Sequence, residues 1–164
     1  MKERLEEIPV ILFLIIVAIP LSLLFLPIIF IYLVFDFFQR KRFKKRYSNY
    51  LLSIEGKKFF CYTNRKNSHH YIEKNIIPNL SGDVECVFLE GKNLKTEYIQ
   101  EYISHMLAAI SDRKGFPYVI KINNGKALGK SMNNEFYTFK SQNKSPEDLL
   151  ILINSSFDNL KSSL

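Results

Sequence analysis

Thiols and imidazoles are scarce in this chain: 164 residues hold two cysteines and three histidines. There is no Cys-x-x-Cys pair, no Gly-rich phosphate loop, no Ser-His-Asp arrangement and no Cys/His nucleophile pair, which leaves thiol exchange, nucleotide phosphate binding and covalent hydrolysis without the residues they need. Internal repeats and long low-complexity linkers are absent too. Charge is missing from one long stretch. Residues 8–38, IPVILFLIIVAIPLSLLFLPIIFIYLVFDFF, carry a single charged side chain, Asp36, at the far end.

That stretch is the strongest signal present. A bilayer core of about 30 Å takes roughly 20 apolar residues, and a continuous helix of 31 would run to about 46 Å. The expectation is an N-terminal membrane anchor over 1–38. Pro20 and Pro27 remove backbone donors, so a single span should be kinked. A re-entrant hairpin with arms near 8–19 and 23–38 is the competing geometry, disfavoured because its turn would expose unpaired backbone to lipid. A cleavable signal peptide is not expected, given the acidic start MKERLEE, the length of the apolar run and the lack of a small-residue cleavage site.

Flanking charge sets the orientation. Residues 1–7 sum to −1, whereas Arg40, Lys41, Arg42, Lys44, Lys45 and Arg46 contribute +6 within seven positions. Lys and Arg beside a span stay on the cytoplasmic side, so the basic juxtamembrane segment 39–50 and everything after it are expected there. The same six cations are read as a contact for anionic lipid headgroups. A nucleic-acid partner is not expected: residues 51–164 hold 15 basic and 12 acidic side chains, too even a balance for a DNA-binding face.

Residues 51–164 suffice for one small domain with its own core. Residues 56–64 (GKKFFCYTN) read as a buried strand. Ser68 is placed to cap a short helix through Tyr71, Ile72, Ile76 and Ile77, stopped by Pro78 and Ser81-Gly82. Residues 83–91 (DVECVFLEG) read as a second strand, its apolar face Val84, Cys86 and Phe88. Thr96 opens a longer helix with a buried stripe of Ile99, Tyr102, Ile103, Met106, Leu107 and Ile110. Residues 118–122 and 134–140 (NEFYTFK) read as the third and fourth strands, joined by a Gly-containing loop. Ser145-Pro146-Glu147-Asp148 starts the last helix, with Leu149, Leu152, Ile153, Phe157 and Leu160 buried. The order is β-α-β-α-β-β-α: an α/β domain with a parallel first pair and an antiparallel last pair. A ferredoxin-like α+β arrangement is the alternative.

This order, with Phe116-Pro117 just before the third strand, resembles the thioredoxin-like superfamily in its glutaredoxin-type form, over about residues 56–162. The resemblance implies a cis-proline at Pro117, beside a site at the start of the first helix. It also implies that this is a degenerate member. Where redox relatives carry Cys-x-x-Cys, this chain has Asn67-Ser68-His69-His70, and Ser141-Gln142-Asn143-Lys144 replaces the glycine pair that helps hold glutathione. The function expected is a membrane-anchored, non-redox binding or adaptor module on the cytoplasmic face of a bacterial inner membrane. Alternatives are an enzyme of this fold binding glutathione or another thiol compound through Ser68 and Pro117, and a membrane-bound immunity or defence factor.

The binding surface expected is Arg65, Lys66, Ser68, His69 and His70 beside Phe116 and Pro117, suited to an anion or to a partner's extended peptide. Catalytic residues, a metal and a cofactor are not expected: adjacent His69 and His70 diverge, and Glu73 is the closest acid. A protein partner is expected, without an identity or an oligomeric state. Cys61 and Cys86 are read as buried and inert, His105 as half-buried, and the Asn154-Ser155-Ser156 triplet as without meaning on a cytoplasmic helix.

Overall fold

The computed structural model describes the backbone of residues 3–66 and 68–160; within the first helix the side chains of 3–15, 17, 19 and 21–24 lie outside the described residues. The chain falls into two compact units, Met1–Arg46 and Tyr47–Leu164.

Among the described residues, the first unit is formed by helix α1 (Glu3–Ser53) as far as Arg46, helical through both Pro20 and Pro27. No turn interrupts it, so the hairpin geometry is ruled out. Each proline forfeits one intrahelical hydrogen bond, yet its own φ is compatible with the helix, and regular turns on both sides carry the chain across. From Phe25 to Phe38 the large apolar side chains are exposed, except that Val34 is only just so. Among the described residues, no helix is long and apolar enough to cross a membrane; the side chains of about half of the apolar run lie outside them.

The second unit is a mixed α/β fold around one five-stranded sheet. Its elements are β1 (Lys58–Thr63), α2 (His69–Tyr71), β2 (Val84–Glu90), β3 (Asn93–Lys95), α3 (Gln100–Ala109), β4 (Tyr118–Asn123), β5 (Lys126–Ser131), α4 (Asn133–Ser141) and α5 (Pro146–Asn159). The strand order is β3-β2-β1-β4-β5. β1 and β2 are parallel, with Phe60 opposite Cys86. β4 runs antiparallel to β1, and β5 antiparallel to β4.

β1 is apolar on both sides because both sides are covered. Phe59 and Cys61 join Val87, Ile103, Met106, Ile110, Ile120 and Ile122 in one core; Phe60 and Tyr62 join Ile72, Ile76, Phe136, Leu149, Ile153 and Phe157 in the other. The first core also takes Leu51, with Tyr47 and Tyr50 packed against it. The compact unit therefore begins four residues earlier than the composition shift at 51 suggests, because the last turns of α1 supply part of its core.

Three readings from sequence are corrected. Residues 134–140 form helix α4, not a strand, and the loop before them is strand β5. Asn124 and Gly125 both adopt positive φ (54° and 64°), a two-residue hairpin turn whose twist suits antiparallel strands. β5 thus starts at once and fills the sheet edge, leaving the aromatic run to pack as a helix. Glu55 fastens this turn, its carboxylate oxygens accepting the backbone N–H groups of Asn124 (2.7 Å) and Gly125 (2.9 Å). A short edge strand, β3, follows Gly91. Finally, α3 starts at Gln100, after an extended Ile99; Thr96 Oγ1 instead accepts from Tyr98 N, and Ile99 is half exposed. The cap at Ser145 forms as expected, with Glu147 N donating to its hydroxyl at 3.2 Å.

Candidate functional site

Parallel β1 and β2 end side by side, and the chain leaving β1 turns immediately into α2. The turn is built on one carbonyl: Arg65 O accepts from Ser68 N and His69 N, both at 2.9 Å, and from the Ser68 hydroxyl at 3.3 Å. Ser68 is buried and gives no side-chain cap to the helix, contrary to the expected role. Its hydroxyl is spent backwards, on the loop. Arg65, Lys66 and His70 are exposed, and His69 is half-buried. Asn67 lies outside the described residues.

Three helical residues cannot make a regular helix. The ladder widens to a π-type turn over Ile72–Ile76 and tightens to a 3-10 turn over Ile77–Asn79. Ile72 and Ile76 are buried, and the Asn75 and Asn79 amides donate to the carbonyls of Tyr71 and Asn75, both at 3.1 Å. Such widened turns often mark functional positions. Here the turn carries Glu73 over the sheet. Tyr62 donates its hydroxyl to Glu73 Oε1 at 2.5 Å, and His69 Nε2 lies 3.5 Å from the same oxygen. Rings of Tyr62, His69 and Phe88 meet at centroid distances of 5.0–6.2 Å. Burial, then the hydrogen bond to Glu73, raise the Tyr62 pKa, so its hydroxyl stays a donor at neutral pH.

Sequence reasoning placed His69 here and noted Glu73, but missed Tyr62 and Phe88. The available signal was Tyr62 at the end of a strand, where an aromatic with a polar tip commonly reaches a partner.

Phe116 and Pro117 open β4. The peptide bond between them is cis, and register places Pro117 one step beyond the Cys61–Tyr118 pair, next to Tyr62. The segment is tightly held: Ser131 Oγ donates to Gly115 O (2.5 Å), Asn133 Nδ2 to Phe116 O (2.8 Å) and Met132 N to Pro117 O (2.8 Å). All three carbonyls are therefore taken by the protein itself. Phe116 packs on the first core, edge-on to Tyr118. Among the described residues, no hydrogen bond, ion pair or ring contact joins Arg65–His70 to Phe116 or Pro117. The two parts of the expected surface, the α2 end and the β4 start, meet through Tyr62, which lies beside Pro117 in register and against the His69 ring. Thr63, at the end of β1, has a buried hydroxyl without a hydrogen-bond partner among the described residues.

The two thiols lie on opposite faces of the sheet. Cys61, paired with Val87, points into the first core, whereas Cys86, paired with Phe60, points to the second and is exposed. The expected burial of Cys86 fails because the short, irregular α2 region leaves β2 partly uncovered. Burial raises both thiol pKa values, with Glu73 and Glu85 adding to the effect at Cys86, so neither is an activated nucleophile. His105 is exposed, not half-buried, and its ring stands edge-on to Tyr47 at 4.6 Å. No cluster of three metal-ligating side chains occurs among the described residues.

The chain matches no protein-family model, no curated protein and no solved structure.

Proposed function

We propose that the protein is a membrane-anchored, thioredoxin-like binding module without redox chemistry, its domain displayed on the cytoplasmic face of a bacterial inner membrane. The observation that carries the reading is the sheet. The order β2-β1-β4-β5, with β1 and β2 parallel and β4 and β5 antiparallel, is the arrangement expected of that superfamily. β3 and α4 are then additions, and Pro117 opens the strand beside β1. The anchor reading rests on the apolar run 8–38 and on the six cations of 40–46, which would also meet anionic headgroups.

In this reading the working surface is the α2 end: Arg65, Lys66, His69 and His70 outside, with Tyr62, Glu73 and Phe88 beneath. It suits recognition better than thiol chemistry, because the position of the redox cysteines is held by Ser68, whose hydroxyl already serves Arg65 O. The partner is a protein. Replacing Arg65, His69 and His70 together by alanine and comparing cross-linked partners in cells tests this surface. Loss of specific partners is expected; an unchanged pattern would move the interaction elsewhere. A phosphatase reporter fused after Leu164 should stay inactive, and an active fusion would overturn the orientation.

A further inference from the structure

A second surface lies at the corner where α4 turns into α5, against Tyr71, the last residue of α2. A cleft of about 290 Å³ is lined there by Tyr71, Phe139, Lys140, Asn143, Lys144 and Pro146. The corner has a defined backbone. Asn143 adopts φ of 50°, and the N–H groups of Gln142, Asn143 and Lys144 return to the carbonyls of Thr138, Lys140 and Phe139 at 3.0–3.3 Å. Those bonds close α4 and fix where both lysines emerge.

The wall chemistry is two-sided. Tyr71, Phe139 and Pro146 offer ring and apolar surface, and Lys144 Nζ sits 4.9 Å over the Phe139 ring. Neither Lys140 nor Lys144 pairs with a carboxylate among the described residues. In contrast, Lys57, Lys58, Lys95, Lys114 and Lys130 each do. Lys140 also complements the C-terminal end of the α4 dipole, but Lys144 lies beyond the helix and gains little from that. Glu147, the acid closest to Lys144 in sequence, is held by the Ser145 hydroxyl and by its own backbone N–H, and its charge is also felt at Tyr71.

We propose that this cleft docks an acidic segment of a partner protein, with one apolar side chain between Tyr71, Phe139 and Pro146 and flanking carboxylates on Lys140 and Lys144. The volume admits one side chain rather than a drug-sized ligand, and the unpaired ammonium groups supply the complementary charge. The proposal rests on the binding-module reading and names the chemistry of its partner.

The test uses the full chain in uncharged detergent and a fluorescein-labelled, end-capped Glu-Glu-Phe-Glu-Glu peptide read by anisotropy. Saturable binding is expected, weakened about tenfold in K140A/K144A, as loss of two partly exposed ion pairs implies. K92A/K126A, which removes two lysines elsewhere, should leave it unchanged, and near-UV circular dichroism confirms that each variant is folded. Absence of saturation, equal weakening in both double variants, or equal binding of a Gln-for-Glu peptide would each overturn the proposal. So would lysine-dependent displacement by glycerophosphoglycerol, which would assign the cleft to lipid headgroups. Cellular cross-linking separates the two readings. A wild-type chain that binds the peptide but captures no specific partner removes the binding-module reading. Partners that persist in K140E/K144E remove the cleft alone.

Discussion

Gly129→Ala sets two opposing effects against each other. Gly129 lies on β5 opposite Ile120, and its φ is not in the left-handed region, so alanine meets no backbone strain. Reduced freedom of the unfolded chain would then stabilise the variant by about 0.4–1 kcal/mol. Packing opposes this. A Cβ at this position would stand 2.7 Å from both Cδ1 and Cγ1 of Ile110, against an optimal carbon separation of about 3.5–4.0 Å. Ile110 is buried and ends α3, so moving it by about 1 Å disturbs both the helix and the sheet. Overpacking of this kind costs about 1–3 kcal/mol, and it should win, for a net loss of about 0.5–2 kcal/mol. The melting temperature should fall by about 3–5 °C per kcal/mol for a domain of this size. Urea unfolding followed by near-UV circular dichroism isolates the tyrosine-rich core from the signal of α1. The cause is tested by adding Ile110→Ala, which alone costs about 2–5 kcal/mol. The double variant should fall short of additivity by about 1 kcal/mol, since the new methyl partly fills the space vacated. A Gly129→Ala chain as stable as wild type, or strict additivity, would refute the packing argument.

Other outcomes follow from single contacts. The Ser81 hydroxyl and the Lys58 ammonium hold the Asp83 carboxyl at about 2, below its usual 3.8. A depressed native value stabilises above the unfolded value and stops doing so as pH falls through the native one. The stability advantage of wild type over Asp83→Asn should thus be complete above about pH 5 and vanish near pH 2; an advantage independent of pH would refute the assignment. Ser145→Ala should cost about 1 kcal/mol in urea unfolding through loss of the α5 cap, and no loss would mean the hydroxyl caps nothing in solution. Maleimide labelling should find one thiol in the native protein, Cys86, and the second only after unfolding. Labelling should also quicken as pH rises toward the raised Cys86 pKa. Two rapidly reacting thiols, or none, would contradict the opposite facing of Cys61 and Cys86.

Local chemistry alone determined the elements whose residues carry their own signal. β1 and β4 read as buried strands because both of their faces are apolar, and α5 was announced by Ser145-Pro146-Glu147. The parallel first pair followed from a helix intervening between two strands. The same residues indicated the α2 end as the candidate surface, through His69 and the exposed Arg65 and Lys66. Asn124-Gly125 was also legible, and reading it as a two-residue hairpin turn would have placed β5 correctly.

Only the tertiary structure decided the rest. Residues 134–140 are aromatic-rich like a strand, but one sheet edge has room for one strand, and β5 arrives first. Cys86 lies on an apolar strand, yet its exposure depends on how much of β2 the irregular α2 region covers. Glu73 meets Tyr62 because a π-type turn re-aims it, and the Lys140–Lys144 cleft forms where a left-handed Asn143 turns α4 into α5 beside Tyr71. Sequence carries propensity and pattern, which act over a few residues. Exposure, pairing and cavities depend on which distant surfaces arrive together, and that is settled only when the sheet closes its two cores.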